Sequence, residues 1–122
     1  MQGFTASSLL LVALGGAAGS MLRHFVSVAG VALFGFGFPW ATLAVNVVGS
    51  GMIGVLAGLG LQGGVRALLV PGFLGGFTTF SAFSLETTVL WERAPALAVF
   101  YVVVSVGLGA TACALGFWLF RR

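Results

Sequence analysis

The residues of this chain best suited to chemistry stand together in one stretch, Gly72-Phe73-Leu74-Gly75-Gly76-Phe77-Thr78-Thr79-Phe80-Ser81-Ala82-Phe83-Ser84. There a glycine pair, a run of phenylalanines and clustered hydroxyls interrupt a segment otherwise apolar enough to cross a bilayer. A helix broken at membrane depth frees N–H and C=O groups that hydrocarbon cannot satisfy. Such a break persists only where it is buried in protein or lines an ion or water site. Phe80 and Phe83 are spaced to share one helical face, and their ring edges carry partial positive charge. An anion can meet such an edge without meeting a counter-charge that would trap it. Thr79, Ser81 and Ser84 add hydroxyl donors beside the rings. This pattern points to moving an ion, not to making a bond.

A second set of polar residues extends the same chemistry. Asn46 is the one amide deep in an apolar run, and its carboxamide reads either as glue between helices or as a donor to a passing anion. Tyr101 and Ser105 are spaced as neighbours on one helical face and extend the row of hydroxyls. Arg23 lies near the far end of the first apolar run, where it either snorkels to the headgroups or makes an electropositive vestibule. Glu86 follows the break and stands either near the interface or in a wet cavity.

Other classes of function fall away on composition. With two acidic residues, one His and one Cys in 122 residues, no metal-hydrolase ligand set can be built, and no Ser/His/Asp set or phosphate loop is present. An enzyme is not expected. The five arginines are scattered, so there is no basic stripe for nucleic acid. Cys113 sits alone in an apolar run and reads as small buried filler.

Positioning these groups requires membrane-spanning helices. The chain is 60% hydrophobic and 6% charged, the mix of an integral membrane protein with room for a single domain. The first apolar run lacks the basic leader of a signal peptide and reads as a retained helix. Between His24 and Arg66 the uncharged stretch is too long for one crossing and divides at the Gly/Phe/Pro-rich residues 30–39. Four spans are predicted, at about residues 4–28, 40–61, 65–91 and 96–120, the third broken near Gly75. With four spans, Arg66, Arg121 and Arg122 face one side and Arg23 and Arg93 the other. That bias is weak, so either a single orientation or insertion in both orientations is open, the latter pairing the chain with an inverted copy. Glycine makes up 20 of the 122 residues. Small-residue faces at Gly15 and Gly19, at Ser50, Gly54 and Gly58, and at Ser105, Gly109 and Cys113 suit close helix approach, and some of them are expected to meet a partner subunit.

Three segments carry a family resemblance: Gly15-Gly16-Ala17-Ala18-Gly19-Ser20-Met21-Leu22-Arg23, Thr42-Leu43-Ala44-Val45-Asn46-Val47-Val48-Gly49-Ser50 and, most specifically, Gly75-Gly76-Phe77-Thr78-Thr79-Phe80-Ser81-Ala82-Phe83. In this order they resemble the signatures of the Fluc (CrcB) fluoride channels. The resemblance implies an all-α membrane protein of the cell inner membrane that exports fluoride passively and so protects against its toxicity. It also implies an antiparallel, dual-topology homodimer with a structural sodium ion where the two broken third helices cross. Under it, the Gly75 and Thr78 carbonyls hold sodium and Asn46 sits in the pore. Phe80 and Phe83 line the anion path, Tyr101 and Ser105 match the polar positions of the fourth helix, and Arg23 matches the vestibule arginine. Other readings are a small dual-topology multidrug-type proton-coupled exporter, which needs a carboxylate that the first span lacks, and a structural membrane subunit.

Overall fold

The computed structural model describes residues 5–122; Phe4, the expected start of the first span, lies outside them. Helix α1 covers Ala6–Phe34, α2 Trp40–Leu59 and α3 Gly63–Ala67. A π-helical turn, Leu68–Leu74, is followed by α4 Gly75–Phe77, α5 Ser81–Arg93 and α6 Pro95–Phe120. Four helical stretches are long and apolar enough to cross a membrane, with α3 through α5 together making the third. The protein is a multi-pass membrane protein.

Local chemistry sets the ends of these elements. Thr5 opens α1 with a reciprocal cap: its Oγ1 accepts from the Ser8 N–H at 3.0 Å and its own N–H donates to Ser8 Oγ at 3.3 Å. With 29 residues, α1 is about 44 Å long at about 1.5 Å per residue, longer than a hydrocarbon core of about 30 Å. It runs past the expected end near Val28 and through Gly30. There the missing side chain serves packing: a Cβ at Gly30 would lie 2.8 Å from that of Ala41. The chain turns only at Gly35, φ 74°, a conformation glycine adopts without strain. Gly60, φ 72° and ψ 39°, closes α2 in the left-handed conformation.

The third span departs from expectation in where it breaks. Gly75 stays helical, φ −60° and ψ −35°, and Gly76 follows it within α4. The backbone becomes extended at Thr78, φ −91° and ψ 159°. The glycines permit close approach instead: a Cβ at Gly76 would strike the Gly16 carbonyl oxygen. Pro71 lies inside the π-helical turn. A proline ring crowds the carbonyl four residues back and offers no N–H, and the wider π winding relieves that crowding.

Backbone-to-backbone contact at glycine holds the span pairs together. In α1, Gly15 lies on the Leu68 carbonyl and Gly19 on the Phe73 carbonyl. Helices α2 and α6 run parallel in a fixed register: Ser50 faces Gly109, Gly54 the Cys113 carbonyl, and Gly58 the Phe117 carbonyl, 2.7 Å from where its Cβ would stand. These small-residue faces therefore meet inside one chain. Two buried clusters complete the core. One gathers Leu43, Leu90, Ala98 and Tyr101; the other gathers Val45, Leu74 and Phe77.

Candidate ion site at the helix break

The break at residues 78–80 is built by α2. Asn46 Nδ2 donates to the Thr79 carbonyl at 2.9 Å, while the Thr79 N–H donates to Asn46 Oδ1 at 2.8 Å. Asn46 thus satisfies backbone groups that the lost helical turn leaves open, and one amide N–H of its two remains unengaged. Thr79 also opens α5, since its Oγ1 accepts from the Ala82 N–H at 3.1 Å.

These bonds strip two carbonyls of their helical donors. In an unbroken helix Thr79 N–H would serve the Gly75 carbonyl and Ala82 N–H the Thr78 carbonyl; both donors are engaged elsewhere. The neighbouring Gly76 carbonyl is satisfied from α1 by Arg23 Nε at 2.9 Å, with Ser20 Oγ at 3.5 Å. Arg23 therefore does more than snorkel: it reaches inward and holds the end of α4. Among the described residues no three His, Cys, Asp or Glu side chains gather as metal ligands.

The two phenylalanines are neighbours with different surroundings. Their ring centroids lie 5.7 Å apart, yet Phe80 is 78% exposed whereas Phe83 packs against Tyr101 at 5.0 Å. Phe80 borders a hollow of about 470 Å³ whose wall includes Asn46, Ser50, Gly75, Thr78 and Thr79. The hydroxyls divide as well. Ser84 Oγ donates back to the Phe80 carbonyl at 2.9 Å, Ser81 Oγ lies 3.4 Å from Thr79 Oγ1, and Tyr101 Oη donates to Glu86 Oε1 at 3.1 Å. Ser105 Oγ is buried with no hydrogen-bond partner among the described residues. Carrying the α2/α6 register back by one turn sets Ser105 level with Asn46, and one turn further sets Tyr101 level with Thr42.

At that last level lies a group whose depth the sequence leaves open. Glu86 receives Tyr101 on one oxygen and Thr42 Oγ1, at 2.9 Å, on the other. The carboxylate thus ties α2, α5 and α6 together. Thr42 had no role assigned from the sequence, although its spacing from Asn46 places both on one face of α2.

Comparison with known proteins bears on this arrangement. The family model for CrcB-like protein, Camphor Resistance (CrcB), matches residues 10–117. A protein of Chelativorans sp. (strain BNC1) named fluoride-specific ion channel FluC is 49% identical over 119 residues, covering 93% of this chain and 95% of that protein. Proteins of the same name from Rhizobium etli (strain ATCC 51251 / DSM 11541 / JCM 21823 / NBRC 15573 / CFN 42) and Sphingopyxis alaskensis (strain DSM 13593 / LMG 18877 / RB2256) are 52% and 47% identical. They cover 92% and 95% of this chain, which spans 94% and 97% of theirs.

Proposed function

The chain belongs to the CrcB-like family, and from that premise we propose that it is a fluoride-specific ion channel of the inner membrane, working as an antiparallel homodimer and exporting the anion passively. It is a transporter, not an enzyme. The observation that carries the reading is the clamped break, where Asn46 and Arg23 hold open an irregular backbone that lipid would not tolerate. Neutral HF entering from an acidic medium ionises in the cytoplasm, and the anion leaves down its gradient without energy coupling.

The path we assign uses the free Asn46 N–H, the ring edges of Phe80 and Phe83, and the unpartnered hydroxyl of Ser105 as successive donors of positive potential. Thr79, Ser81, Ser84 and Tyr101 complete its wall, and Arg23 supplies the positive vestibule. A small anion resists dehydration, so each step needs a donor that replaces water without binding it tightly. A sodium ion fits the Gly75 and Thr78 carbonyls, both deprived of helical donors, and when bound it would lock two third spans together. Support for a second copy comes from Gly75 itself, which is exposed and has only the Val70 carbonyl oxygen near its Cβ position, at 3.9 Å. The hollow beside it and the exposed Phe80 ring suit coverage by protein.

Purified protein in liposomes loaded with fluoride, with chloride measured in parallel, tests the reading. Rapid fluoride efflux with little chloride efflux is expected; equal rates for both anions, or none for either, would overturn it.

A further inference from the structure

Two cavities on the α1/α2/α5 side share part of their walls. The outer, about 350 Å³, is walled by residues 35–40 and the outer half of α5, with Arg93 and Phe36 on its wall. The inner, about 60 Å³, reaches Arg23 and Thr79 at the break. Ser27, Ala41, Thr42 and Glu86 border both, so the two adjoin between the far end of α5 and the candidate ion site. Arg93 occupies a fixed place on the outer wall: its Nη2 donates to the Gly37 carbonyl at 2.6 Å and to the Phe36 carbonyl at 3.3 Å. Those bonds engage one nitrogen of the guanidinium, and among the described residues no carboxylate pairs with its charge.

We propose that the two cavities form one passage for the anion and that Arg93 is its entrance residue, acting by its charge to concentrate anions before they reach Glu86 and Arg23. The inference rests on the channel reading above. Glu86 gives a physical reason for such a charge, because a carboxylate on the passage wall repels an approaching anion and a fixed cation outside it offsets that repulsion. A charge at the mouth of a cleft with low-dielectric walls raises the local concentration of counter-ions, and salt screens it within about 10 Å at 0.1 M. The two carbonyl bonds hold the guanidinium beside the opening, where a free arginine would swing into the headgroups.

The sequence offers a clean test, since all five basic residues are arginine and the chain has no lysine. Arg93→Lys keeps the charge and creates the sole lysine, which an amine-acetylating reagent neutralises in place. The parent, given the same reagent, controls for the amino terminus. In uncharged phosphatidylcholine vesicles at about 10 mM ionic strength, Arg93→Lys should conduct fluoride close to the parent rate. Arg93→Gln and acetylated Arg93→Lys should conduct about threefold more slowly, and the deficit should vanish near 1 M salt, where the screening length falls to about 3 Å. Full parental flux in Arg93→Gln or acetylated Arg93→Lys at low salt would overturn the proposal. So would a deficit equal at all salt concentrations, or an untreated lysine variant as slow as glutamine. If Arg93→Gln fails to assemble, the acetylation arm decides alone. A parent chain that moves no fluoride would defeat the channel reading, a result separate from any of these.

Discussion

Asn46 and Thr79 hold one another by two hydrogen bonds, one from the amide to the backbone carbonyl and one from the backbone N–H to the amide oxygen, at 2.9 and 2.8 Å. A side chain on α2 thereby substitutes for a turn of helix on the third span. Asn46→Ala should leave both Thr79 groups unpaired, at a cost of about 2 kcal/mol, seen as a lower unfolding temperature in detergent. Asn46→Asp keeps the acceptor and loses the donor while adding negative charge, so fluoride efflux should fall by about tenfold or more. Parental flux in a correctly assembled Asp variant would remove Asn46 from the path.

Phe80 and Phe83 should separate in their effects. Replacing either by Ile keeps the bulk but removes the positive ring edge, so fluoride efflux should fall while assembly is retained. Only Phe83, packed on Tyr101, should also destabilise the subunit when cut to Ala, by about 3 kcal/mol. The exposed Phe80 ring should tolerate Ala in stability measurements. If neither Ile variant slows efflux, the rings serve packing alone.

Gly75 and Thr78 act through backbone oxygens in the sodium reading, so Thr78→Ser should conduct like the parent. Gly75→Val has room within the single chain and should leave the subunit folded, yet it should abolish the dimer or its flux by blocking a second copy. A dimeric, fully active Gly75→Val protein would count against the crossing of two third spans.

Orientation supplies another measurement. Two lysines added in the turn at residues 62–66 should bias insertion to one side and remove activity, and co-expression with an oppositely biased variant should restore it. Normal efflux from the singly biased protein would exclude an antiparallel pair.

Much of the architecture was legible because hydrocarbon leaves few options: four apolar stretches, a polar interruption in the third and short turns follow from length and charge alone. Glycine signals loose backbone, so the sequence points to a break near Gly75. In the folded chain Gly76 instead admits the Gly16 carbonyl, and the helix ends where Asn46 captures Thr79. Gly30 illustrates the same ambiguity, since bare Cα atoms serve both turns and close packing and only the neighbour decides between them. Arg23 on the Gly76 carbonyl and Glu86 between Thr42 and Tyr101 were not legible, because each joins elements far apart in sequence. The spacing of Thr42 from Asn46 was the available hint.

The parallel register of α2 and α6 governs how this protein can drift in sequence. Each rung sets one position on α2 against one on α6, but what stands opposite the glycine differs from rung to rung. A Cβ at Gly109 would rest in ordinary contact with Ser50 Oγ at 3.5 Å, whereas one at Gly54 or Gly58 would strike the backbone carbonyl of Cys113 or Phe117. Drift is thus open at the Ser50/Gly109 rung and closed at Gly54 and Gly58, because no exchange of side chains removes a carbonyl oxygen.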